Sequence, residues 1–67
     1  MKFSNDRQLF FVDDNEDEDG STITTIWEAD SDGEPLDVLE IKTDLQNYGD
    51  NEIYMLEKYN AKPTMEV

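Results

Sequence analysis

Carboxylates are the reactive side chains this sequence carries in quantity, and they are bunched. There are 18 Asp and Glu against five Lys and Arg, with no His and no Cys, for a formal net charge of −13. Asp13-Asp14-Asn15-Glu16-Asp17-Glu18-Asp19 places six acids in seven positions, and Glu28, Asp30, Asp32 and Glu34 form a second, alternating group. Acid–base catalysis with paired carboxyls needs a pocket that drives two pKa values apart. A single domain of 67 residues with no His or Cys and no glycine-rich phosphate loop has little with which to build one, so it is expected not to be an enzyme. Calcium is the next chemistry to weigh. Asn15-x-Asp17-x-Asp19-Gly20 matches the opening of an EF-hand loop, but its twelfth position is Ile26 where a bidentate Glu belongs. Glu28-x-Asp30-x-Asp32-Gly33 matches in the same partial way, with Leu39 at its twelfth position. Weak calcium binding stays open; no dedicated metal site and no cofactor is expected.

Imitation of a polyanion is the third chemistry. Carboxylates at i and i+2 of a strand lie roughly 6.6 Å apart on one face, of the order of two phosphate steps along a DNA strand. The acid excess is larger than the net charge of about 2–8 that keeps a small domain soluble. Asp13, Asp14, Glu16, Asp17, Glu18, Asp19, Glu28, Asp30, Asp32 and Glu34 would then take the place of phosphates. Phe11, Ile26, Trp27, Leu39 and Met55 would add apolar contacts. The implied partner is a protein with a basic groove that ordinarily holds DNA. Direct contact with nucleic acid, or with an anionic membrane, is opposed by the charge.

The elements that must position these groups read as mainly β, an antiparallel meander of about four strands. A short helix would make it α+β. Residues 1–7 are a lead-in, with Phe3 a candidate core contact. Gln8–Val12 is aromatic and β-branched, which suits a strand. Residues 13–20 repel one another and read as an acidic loop closed by Gly20. Ser21–Ala29 is the clearest strand, with Ile23, Thr25, Trp27 and Ala29 on one face and Thr24, Ile26 and Glu28 on the other. Asp30–Pro35 is a turn, and Leu36–Lys42 returns as the second arm of a hairpin. Thr43–Asn51 reads as a loop with room for one helical turn at Asp44–Tyr48. Glu52–Asn60 fits either a strand or a helix. The strand is preferred; the helix would take Asp50 as its N-cap and align Ile53, Leu56 and Asn60. Residues 61–67 read as a frayed tail.

The chain resembles the phage-encoded DNA-mimic inhibitors, most nearly the uracil-DNA glycosylase inhibitors. Arg7-Gln8-Leu9-Phe10-Phe11-Val12-Asp13-Asp14 is similar to that family's first strand running into an acidic segment. Thr25-Ile26-Trp27-Glu28-Ala29-Asp30-Ser31-Asp32-Gly33-Glu34, with Leu39, Thr43-Asp44 and Tyr48 beyond it, is similar to its central hairpin. The resemblance implies a five-stranded antiparallel sheet with helices, an acidic edge that docks in the enzyme's DNA groove, and an apolar pocket for the enzyme's intercalating leucine. It also implies that Asp13 is the key carboxylate. Where the family has a helix between its first two strands, this sequence has only the acidic segment.

Other inhibitors share such hairpins, so an anti-CRISPR or anti-restriction role against another nuclease is an alternative. So is a homodimeric acidic regulator, because apolar residues fall on both faces of several strands and a single sheet leaves one face wet. No leader of one basic residue group and about 7–15 apolar residues opens the sequence, and no apolar run approaches about 18 residues. The expected location is the cytoplasm, the host's if the gene is phage-borne.

Overall fold

The computed structural model describes residues 1–45 and 48–64. In chain order they form β1 (Lys2–Ser4), β2 (Leu9–Glu16), β3 (Thr22–Ala29), β4 (Pro35–Lys42), α1 (Tyr48–Tyr59) and β5 (Lys62–Pro63). The strands make one sheet in the order β4-β3-β2-β1-β5, antiparallel throughout. The expected mainly-β meander is therefore present, with five strands in place of about four and with the short helix.

Two turns of the same build set the β2–β3–β4 register. In Asp17-Glu18-Asp19-Gly20 the Gly20 amide donates to the Asp17 carbonyl at 3.1 Å, and in Asp30-Ser31-Asp32-Gly33 the Gly33 amide donates to the Asp30 carbonyl at 2.9 Å. Each first Asp also accepts the amide two residues on through its own side chain, Asp19 N at 3.0 Å and Asp32 N at 2.9 Å. Gly20 and Gly33 hold φ of 86° and 83°. Asp opening a type I turn with a left-handed Gly at its close is a favoured hairpin connection. A Cβ at Gly20 meets nothing within 4 Å, while one at Gly33 falls 2.8 Å from Lys2 Cε. Gly20→Ala is expected to cost about 1 kcal/mol from backbone strain alone. Gly33→Ala is expected to cost more, since it must also displace the Lys2 side chain; urea denaturation of the two variants checks the order.

Alternation along the strands builds the core on one face. Phe3, Phe10, Val12 and Ile26 lie on it, and Met55 of α1 with Ala61 closes it; none is more than 2% exposed. Tyr59 packs on Phe10 with ring centroids 4.9 Å apart. The buried face of β3 is thus the Thr24–Ile26 face, and the Ile23–Thr25–Trp27 face looks the other way.

Four local expectations are corrected. Residues 52–59 are helical, not a strand. The buried stripe of α1 is Asn51, Met55 and the half-buried Tyr59, four residues apart, while Ile53 and Leu56 are 58% and 47% exposed. Asp50 lies in the first turn and Lys58 in the last, both favourable to the helix dipole. The helix ends at Asn60, whose φ is 52° and whose amide donates to Leu56 O at 3.0 Å.

The acidic loop is shorter than residues 13–20. Asp13–Glu16 continue β2 and pair in register with Thr25–Thr22. Asp14 explains why acids persist in a strand: Thr24 Oγ1 donates to its Oδ1 at 2.7 Å and Asn51 Nδ2 to its Oδ2 at 2.8 Å. The lead-in contains β1, anchored by fully buried Phe3. The tail is tied down through residue 64. The Ala61 amide donates to Met55 O at 3.1 Å, Lys62 and Pro63 pair with Ser4 and Phe3, and the Thr64 amide donates to Lys2 O at 3.0 Å. Pro is tolerated there because β5 is an edge strand. The expected fraying of residues 65–67, and residues 46 and 47 of the proposed turn at 44–48, lie outside the described residues.

Candidate functional site

The two acidic groups are built from the same hairpins that set the fold. Asp13, Asp14, Glu16, Asp17, Glu18 and Asp19 are all exposed and gather at the β2–β3 end. Glu28, Asp30, Asp32 and Glu34 gather around the β3–β4 turn, with Glu28 and Asp30 half-buried and the other two exposed. An eight-residue strand separates the groups by about 23 Å, within a molecule 36 Å long. They form two acidic ends, not one continuous row.

Their carboxylates divide by what they hold. Asp14 fastens α1 to the sheet. Asp17 and Asp30 cap turn amides, and Asp30 Oδ1 accepts from Glu34 N at 3.0 Å as well. Asp19 Oδ1 accepts the Ser21 amide at 2.9 Å. Hydrogen bonding to the Asp17 side chain, then to the Ser21 hydroxyl and amide, draws the Asp19 carboxyl down to about 2. Asp13 Oδ2 accepts from Asn15 Nδ2 at 3.0 Å on the same face of β2. Glu16, Glu18, Asp32 and Glu34 are exposed.

The cations are Lys2, Arg7, Lys42, Lys58 and Lys62. Lys2 borders the β3–β4 turn, its Nζ donating to the Asp32 carbonyl at 3.4 Å, and Arg7 lines a hollow with Asp30 and Ser31. Lys42 lies 3.5 Å from Asp44 and 4.6 Å above the Tyr54 ring. Lys58 lies 3.0 Å from Glu40. These two therefore serve the seam between α1 and β4. Neither ion pair involves the β2–β3 acids.

Glu40 is the hub of that seam. Tyr54 Oη donates to its two oxygens at 2.7 and 2.8 Å, and Tyr59 Oη also donates to it. Burial pushes the Glu40 carboxyl up, but the hydrogen bonds from Tyr59, Tyr54 and Lys58 outweigh it together and hold it below its usual value. Burial and the same carboxylate push the Tyr59 phenol up. A carboxyl depressed by folding stabilises the protein above its unfolded pKa of about 4.3, and that contribution is lost as pH falls through the folded value. Stability is expected to hold level from pH 7 to about 5 and to fall below about 4. Glu40→Gln is expected to flatten the fall; thermal melts across this range check it.

The apolar contacts expected of Ile26 and Met55 are corrected: they are 1% and 0% exposed and belong to the core, so neither can meet a partner. Phe11 and Trp27 pair across β2 and β3 on the face turned away from α1 and are half-buried, and Leu39 is exposed. Trp27 Nε1 is buried without an acceptor among the described residues.

Some surface residues escaped the sequence reading. Leu36, Val38 and Ile41 join Leu39 in an exposed apolar row on β4. Asp44, Asp50 and Glu57 line a shallow hollow with Leu45, Ile53 and Tyr54. The β4 row had a signal in the run Leu36-x-Val38-Leu39-x-Ile41. The hollow had none, because its acids come from separate segments.

Among the described residues no group of acids is arranged to hold a metal ion, and no helix is long and apolar enough to cross a membrane. No family model, curated protein or solved structure matches this chain.

Proposed function

We propose that this chain is an acidic DNA mimic that inhibits a DNA-processing enzyme by occupying its basic DNA groove. The observation that carries the reading is the acidic half of the β2–β3 hairpin. Strand pairing holds Asp13 and Glu16 in fixed register, and the turn holds Asp17, Glu18 and Asp19 beyond them. Carboxylates spaced by a rigid strand give a partner a preorganised charge pattern, which a flexible acidic tail does not. The second acidic turn, about one strand length away, offers a further point of contact. The mechanism is competitive occlusion, with no bond made or broken. The likeness of residues 7–14 and 25–34 to the uracil-DNA glycosylase inhibitors makes a uracil-DNA glycosylase the first target to test. A restriction endonuclease and a CRISPR nuclease follow.

The test is an activity titration of each enzyme against micromolar protein. Inhibition that is relieved by added substrate DNA and weakened by salt is the expected result. Full activity of all three enzymes at micromolar protein and low salt would remove the proposal.

A further inference from the structure

The exposed row on β4 calls for an occupant, and its surroundings say which kind. β4 is a free edge of the sheet. Leu36, Val38, Leu39 and Ile41 on it are 54%, 46%, 41% and 64% exposed. Val38 pairs with Trp27 and Ile41 with Thr25, so these two continue the Phe11–Trp27 row on the face away from α1. No described residue covers them. Exposed apolar side chains on an edge strand ordinarily invite a second copy.

Two features oppose a second copy. The ladder of β4 is irregular, with register shifts on both sides of Trp27, and the strand opens on Pro35. Bulges and proline disrupt the evenly spaced hydrogen bonding that an added strand requires. A second copy also brings another net charge of −13. Its acidic turns at the strand ends would meet those of the first, and close like charges are costly. The row is thus shielded from self-pairing while its apolar side chains stay out.

We infer that Val38 and Ile41, beside Trp27, seat an apolar strip on a cationic partner protein, through side-chain contact instead of strand addition. The inference takes the sign of the partner's charge from the groove-docking reading above. The acidic ends then steer the partner, and the β4 row supplies the part of the affinity that salt does not screen.

Trp27 is the sole tryptophan, so its emission reports on this face. The probes are two synthetic peptides with equal numbers of lysines, one alternating Lys with Leu and the other Lys with Ser. Both are expected to bind the full chain at low salt. At high salt the Lys–Leu peptide is expected to bind about tenfold tighter, the equivalent of burying two half-exposed aliphatic side chains, and to shift Trp27 emission to the blue. A Val38→Ser/Ile41→Ser double variant, altered only at exposed positions, is expected to lose that advantage and keep the low-salt binding. Equal affinities for the two peptides, or an unchanged advantage in the double variant, would overturn the inference and leave the groove reading standing. Self-association of the parent protein that the double variant abolishes would overturn it in favour of a second copy. Failure of both peptides to bind at low salt would sink both readings.

Discussion

Phe10→Ala is expected to leave the protein unfolded at room temperature. Phe10 is 2% exposed, lies between Phe3 and Glu28 in the sheet register, and packs at a tilt against Tyr59 of α1. Truncating a buried Phe typically costs about 3–5 kcal/mol, through lost transfer energy and the cavity left behind. A scaffold of this size without disulfides or metals has a net stability of roughly the same amount. The variant should show no cooperative urea transition by far-ultraviolet circular dichroism. Ile41→Ala, at a position 64% exposed, should melt within about 0.5 kcal/mol of the parent. A cooperative, parent-like transition for Phe10→Ala would mean that the core is not centred where β1, β2 and α1 meet.

The second large effect separates binding from stability. Asp13→Asn, Glu16→Gln, Glu18→Gln and Glu34→Gln together remove four exposed carboxylates without touching the Asp14 link or the Asp17 and Asp30 caps. If each meets a cation in the groove at somewhat under about 1 kcal/mol, inhibition of the target enzyme should weaken roughly 100-fold at low salt. Folding stability should stay level or rise, because repulsion within the acidic ends is relieved. An inhibition titration and a urea melt of one preparation read both quantities. Undiminished inhibition would show that these acids are incidental.

The part of the fold that was legible is the part written in local chemistry. Asp-x-Asp-Gly announces both turns, and the Thr- and Ile-rich run between them announces β3. Phe3 was readable as a core contact. Three things were not legible, each for a physical reason. The helix was hidden because its buried stripe is Asn51, Met55 and Tyr59, only one of them a simple hydrophobe, while the more obvious Ile53 and Leu56 face solvent. The length of β2 was hidden because acids are poor strand formers, and Asp14 stays in the strand only through Thr24 and Asn51, the latter 37 residues away. The docking of β5 was hidden because two residues, one of them Pro, carry almost no strand signal. The ten acids named from sequence lie on the surface, exposed or half-buried, but their division into two ends depends on the topology. Ile26 and Met55 were misassigned because an apolar side chain in a short chain looks the same whether it is core or contact.

The central claim is that this protein and DNA compete for one groove. It is tested most directly by fluorescence anisotropy of a labelled uracil-containing duplex bound to a uracil-DNA glycosylase. The account predicts that adding the protein lowers the anisotropy to that of free duplex, with a midpoint that rises with DNA concentration. Anisotropy that holds steady, or climbs as a ternary complex forms, would contradict it.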